Sequence, residues 1–229
     1  MPTHKLTRKE LKHDSFMEGT ARATDFLQAN YSRVGIGLLV VIAVVFGVRF
    51  MQQGQTRSAQ KASYLLFRGE SLLQRGAFAA AKQPLQELRD NFGGNKFAAQ
   101  GSFDLAQAQA ALGENDAALS TIDKALSGSG GDAALKNALR LLKASVLGSL
   151  KRFPEAQTTV RDLLQTPGLS AGERYDGTLL LADLLRFDGK PGAAADLLMT
   201  LQKEIDSGAL DLEARDLENR IQLLKALAG

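Results

Sequence analysis

Four segments of this chain repeat one another at nearly constant spacing, and that recurrence limits the fold more than any other feature. They are GAFAAAKQPLQEL (76–88), GENDAALSTIDKAL (113–126), KRFPEAQTTVRDLL (151–164) and GKPGAAADLLMTL (189–201), with first residues 37, 38 and 38 apart. Within each, one set of positions recurs at offsets of three, four and three: Phe78/Ala81/Leu85/Leu88, Asn115/Ala118/Ile122/Ala125, Phe153/Ala156/Val160/Leu163 and Pro191/Ala194/Leu198/Leu201. Such spacing lays each set along one stripe of an α-helix. Seven residues ahead of each segment stands a small residue, Gly69, Ala106, Ala144 or Ala182. Small residues on two helices let their backbones approach closely, so the unit reads as an antiparallel helix pair with a short turn.

A single helix pair cannot bury its apolar stripes, whereas stacked pairs can, and at least three are usually needed. Four are present, separated by breakers at Asn91–Asn95, Ser127–Asp132 and Thr166-Pro167-Gly168. The stretch 210–228 adds one more amphipathic helix, with Leu217, Ile221 and Leu224 on one face, of the kind that closes the exposed end of a solenoid. The expected architecture is therefore all-α: an α-solenoid of about four helix pairs over 52–229 with a capping helix.

The pattern resembles the tetratricopeptide repeat, whose unit has a small residue in its first helix, a Gly-Asp-Tyr-like turn, then alanine, a bulky residue and alanine down its second helix. GENDAALSTIDKAL is the best match. The chain departs from the family in having no tryptophan, a period longer than the usual ~34 residues, and Ser102 and Gln109 where bulky groups are expected. The resemblance implies a concave side lined by the first helix of each pair. The inward-looking residues are then Leu66 and Glu70, Phe103 and Gln107, Leu141 and Ser145, and Leu179 and Asp183. The lysine and asparagine clamp by which some members hold a carboxylate terminus is absent. An apolar residue recurs instead, and two readings stand. Leu66, Phe103, Leu141 and Leu179 either line a groove for apolar or extended peptide, or pack between neighbouring repeats as apolar residues at repeat spacing usually do.

Ahead of the repeats, the run Val34–Val48 has no polar side chain and takes eleven of its residues from Val, Ile, Leu and Phe, with Arg33 and Arg49 on either side. Each such residue favours insertion by about 0.3–0.6 kcal/mol at a helix centre. Fifteen residues span about 22 Å, short of the ~30 Å hydrocarbon core, and the flanks supply the difference. Tyr31, Phe50 and Met51 suit the interfaces, and both arginines can snorkel. A buried core helix would need a polar face, an interfacial helix a charged one, and a cleaved signal peptide a short basic head. A single transmembrane anchor over 34–51 is the expectation.

Residues 1–33 form a basic juxtamembrane tail with six Lys/Arg, against four in the twenty residues after the run. An N-terminus on the inner side is favoured, although near the membrane the charge bias is weak or contrary. In the tail, Thr7-x-x-Glu10 matches a capping box. Phe16, Ala23, Leu27 and Tyr31 fall near one helix face. The tail is either a partly helical element lying on anionic lipid or a solvated segment.

No catalytic constellation appears. There is no cysteine, both histidines (His4, His13) lie outside the repeats, and the glycine clusters 93–94 and 128–131 lack the Gly-Lys-Ser/Thr continuation of a phosphate loop. A net charge of +3 is too small to indicate a nucleic-acid surface. The expectation is a non-enzyme without cofactor or metal. The order of tail, anchor and repeats resembles bacterial inner-membrane tetratricopeptide proteins, among them the ancillary subunit family of the Sec translocon. That resemblance implies a single-pass inner-membrane protein with a periplasmic repeat domain. Its partners would be the translocation machinery, chaperones or unfolded clients. A self-assembling scaffold is the alternative, and Ala43-x-x-x-Gly47 would suit a homo-oligomer.

Overall fold

A computed structural model describes residues 31–128, 131–210 and 216–229, and within 31–55 the side chains of only some residues. The described chain is entirely helical in its regular structure: α1 (Tyr31–Gln74), α2 (Phe78–Phe92), α3 (Ala98–Ala111), α4 (Asn115–Ser127), α5 (Ala133–Ser149), α6 (Phe153–Leu164), α7 (Ala171–Phe187), α8 (Pro191–Asp206) and α9 (Leu217–Ala228). It divides into two units, 1–57 and 58–229.

In the unit 58–229, consecutive helices pair from α2 onward, and the first helices of successive hairpins also touch, α3 against α5 and α5 against α7. That pattern is a stack of hairpins α3/α4, α5/α6 and α7/α8, with α9 laid against α8, and the shared core of Leu65, Leu66, Leu85 and Leu88 makes α1/α2 the first hairpin. The alanines of the recurring stripes, Ala81, Ala118, Ala156 and Ala194, have no exposed surface. In the first helices, Ala106 and Ala144 are equally enclosed and Ala182 nearly so. At Gly69 there is no room for any side chain, because an added methyl would overlap Leu85 of α2. The close approach that small residues predict is thus realised in every pair.

All four hairpin turns share one device. Gly76, Gly113, Lys151 and Gly189 each adopt a left-handed backbone, with φ of 72°, 75°, 59° and 77°. In each, the turn residue donates its N–H three residues back and its successor donates five back, as in Gly76 to Leu73 and Ala77 to Leu72. These paired bonds are Schellman caps, which satisfy the last carbonyls of the first helix. Lys151 takes on a conformation that glycine adopts at no steric cost.

Entry into the first helices is capped by side chains at the third and fourth hairpins. Asp132 accepts from the Leu135 N–H at 2.8 Å. Ser170 and Glu173 form a reciprocal capping box. Polar side chains also tie each hairpin to the next: Lys82 to Glu114 at 2.6 Å, Lys143 to Asp123 at 2.7 Å, and Gln157 to Asp188 at 3.0 Å.

The unit 1–57 holds the proposed anchor. The described side chains of its apolar run, including Ile36, Leu39, Val40 and Phe46, are exposed. Those of Arg33, Val34 and Val48 lie outside the described residues, as do the tail 1–30 and both histidines. Among the described residues, no helix is long and apolar enough to cross a membrane.

Candidate protein-binding groove

The first helices from Ser58 onward carry the predicted groove residues, and the structure sorts them into three kinds. Leu66 is buried in the core of the first hairpin with Ala62, Leu65, Ala81, Leu85 and Leu88. Phe103, Leu141 and Leu179 are half-buried, and Phe103 and Leu179 pack against the core that runs on to α9. Gln107 and Ser145 are exposed. The apolar series therefore divides by position: Leu66 packs, while the other three keep part of their surface open to solvent.

Glu70 and Asp183 mark the ends of the series. Asp183 meets Arg186 one turn on at 3.6 Å and Arg220 of the closing helix α9 at 3.7 Å. Leu198, Leu223 and Leu224 join these charges around a cavity of about 280 Å³. The fourth hairpin thus turns its groove carboxylate toward the cap rather than leaving it free.

Glu70 acts on a residue the sequence reading did not single out. Asp104, on α3, is 4 % exposed. One of its oxygens accepts from the Gln100 side chain at 2.9 Å, and the other has no partner. Burial is the main cause that pushes its pKa up, to about 6, and the nearby Glu70 charge adds to the rise. The only signal in the sequence was its place in the repeat. Nine residues before the turn, the other hairpins carry Phe67, Leu142 and Leu180.

Ser102 and Gln109, which stand where bulky groups were expected, are buried but satisfied. Ser102 donates to the Ala98 carbonyl at 2.8 Å, and Thr121 of α4 donates to Gln109 at 2.8 Å. The second hairpin therefore closes on the polar pair of Thr121 and Gln109 instead of a bulky apolar contact. No group of three or more His, Cys, Asp or Glu that could hold a metal occurs among the described residues.

A family model for the tetratricopeptide repeat-like domain matches residues 24–172, more than half of the chain. The chain belongs to the tetratricopeptide repeat-like domain family. The match takes in the first three hairpins, and the fourth hairpin with its cap continues beyond it. Domains of this kind typically bind proteins rather than catalyse reactions. No curated protein matches the sequence. A solved structure, a MamA double mutant (MamA RS-1 ArsTM), is similar over 73 % of this chain and 94 % of that one, with 16 % identity and a TM-score of 0.48.

Proposed function

We propose that this protein is a membrane-anchored protein-interaction adaptor of the bacterial cell envelope, with its repeat domain in the periplasm. It serves the translocation machinery, chaperones or unfolded clients, and its anchor is the run Val34–Val48 between Arg33 and Arg49. The observation that carries the reading is the row of first helices. Phe103, Leu141 and Leu179 offer partly open apolar surface at one position per repeat, with the exposed Gln107 and Ser145 one turn further on. Apolar rungs alternating with hydrogen-bonding groups suit an extended or helical segment of another protein, since anchors in partial pockets supply most of the affinity of such contacts. The anchor rests on fifteen residues without a polar side chain, whose described members are exposed within a helix. An apolar surface of that size calls for lipid or a partner.

The full chain, extracted in detergent, is expected to co-purify with other membrane proteins, and deletion of residues 1–50 to abolish this. A reporter fused after Gly229 is expected to be active only on the periplasmic side. Unchanged recovery of partners after the deletion, or a cytoplasmic reporter, overturns the membrane part of the proposal. Defined oligomers with no bound partner would transfer the chain to the scaffold alternative.

A further inference from the structure

The outer face of the first hairpin differs from the corresponding face of the other three. Twelve residues before each hairpin turn stand Tyr64, Gly101, Leu139 and Gly177. In the later hairpins this position lies beneath the preceding hairpin. A methyl added at Gly101 would overlap Leu88 of α2, Leu139 is 1 % exposed, and a methyl at Gly177 would come within 3.0 Å of Leu164 of α6. In the first hairpin the residue is a tyrosine and 61 % exposed, and Phe67 beside it is 69 % exposed. Together with Arg68, Leu72 and Arg75 of α1 and Ala79 and Ala80 of α2, they line a slot of about 390 Å³. The opposite end of the stack is covered by α9, which buries Leu217, Ile221 and Leu224. Among the described residues, nothing covers this end in the same way.

Two features of the slot specify an occupant. At the Tyr64 position the second and fourth hairpins are met by the second helix of the hairpin before them, Leu88 of α2 over Gly101 and Leu164 of α6 over Gly177, so this face is one a helix fits. Arg68 and Arg75 line the slot and make no ion pair among the described residues. Two open aromatic rings between unpaired arginines are complementary to an apolar stripe flanked by carboxylates.

We propose that the slot formed by Tyr64, Phe67, Arg68 and Arg75 docks an acidic amphipathic helix of a protein partner, as a second interaction surface separate from the groove. The rings insert between small or aliphatic residues of that helix, and the guanidinium groups pair with its glutamates or aspartates. The groove and the anchor are not required for this contact.

The test uses the full chain in detergent and two synthetic amphipathic helices with the same Leu/Ala stripe, one flanked by Glu and the other by Lys. Fluorescence anisotropy is expected to show at least about tenfold tighter binding of the Glu-flanked helix at low salt, with the preference shrinking as salt rises. Phe67→Ser should remove the binding. Arg68→Glu with Arg75→Glu should transfer the preference to the Lys-flanked helix, while Ser145→Arg in the groove leaves it unchanged. These side chains are exposed, and a circular dichroism spectrum checks that each variant stays helical. Equal binding of the two helices, or no effect of Phe67→Ser, overturns the proposal. So do three other occupants: a second copy (a dimer dissolved by Phe67→Ser), the chain's own first thirty residues (binding that appears only after their deletion), or lipid (phosphatidylglycerol vesicles binding the repeat unit through Phe67 in preference to the peptide).

Discussion

The second hairpin and the two that follow solve the same packing problem with different materials. In the third and fourth hairpins the enclosed side chains are mostly apolar, Leu139, Val146, Leu147, Val160, Leu181, Leu184 and Leu198 among them, with Asn137, Gln157 and Thr178 as the buried polar ones. The second hairpin alone buries four polar side chains, Ser102, Asp104, Gln109 and Thr121, and the apolar core divides there. Leu105 belongs to the cluster of the first hairpin and Ala106 to the cluster running on to α9. The difference teaches that the fold depends on small residues at the crossing and a left-handed turn, both of which all four hairpins keep. The filling between them is free to vary. It also places less stabilising filling beside the proposed groove, since a satisfied polar pair contributes less than a buried leucine.

Substitutions separate the two kinds of seam. Leu198→Ala, in the apolar part, is expected to cost about 2–5 kcal/mol, as truncation of enclosed leucines does. Urea unfolding of the full chain measures it, and a loss under about 1 kcal/mol would mean that the fourth hairpin is looser than its burial indicates. Asp104 gives the next effect, and its sign follows from its raised pKa. The folded state holds this proton more tightly than the unfolded chain. Stability is therefore unaffected well below pH 4, falls as pH rises from about 4 to 6, and stays lower above that. The span is about 2–3 kcal/mol, from roughly two pH units of displacement. Asp104→Asn should flatten that part of the pH–stability profile, and an unchanged profile would mean that the carboxylate is hydrated.

Gln109→Ala strands the buried Thr121 hydroxyl and should cost about 1–3 kcal/mol, whereas Gln109→Leu with Thr121→Val should restore most of it. The double variant converts the polar seam into an apolar one, so failure to recover would show that the hydrogen bond does more than fill space. The smallest change is at the turns. Lys151→Gly is expected to stabilise by about 0.5–1 kcal/mol by relieving the left-handed lysine, and Gly113→Lys to destabilise by about the same amount. Thermal melting of the two variants side by side tests whether the four turns are equivalent.

What the sequence made legible was whatever repeats. The stripe positions, the small residues at each crossing and the breakers between pairs all fall where spacing put them, because helical period and close approach act locally along the chain. Contacts between repeats were not legible. Nothing at Asp183 indicates that Arg220, on a helix beyond the last repeat, will take its charge. Nothing at Asp104 indicates that it will be buried, with the Glu70 charge of the preceding hairpin nearby. Lys151 concealed a left-handed turn because a side chain stood where the other three hairpins carry glycine. The groove was partly legible: apolar spacing found Phe103, Leu141 and Leu179, but it could not tell their half-exposure from the burial of Leu66. The exposed ring of Tyr64 sits at the same register as the buried Gly101, Leu139 and Gly177, so only the end of the stack distinguishes it.

Site-specific photo-crosslinking in intact cells tests the central claim, that the first helices form a protein-binding groove. A photoreactive amino acid replaces Gln107 or Ser145 in the groove, or Ser120 or Asp162 on exposed faces of the second helices. Discrete adducts to other proteins from the two groove positions, and none from the outer two, are the predicted result. Adducts of equal yield from all four, or from the outer pair alone, would contradict it.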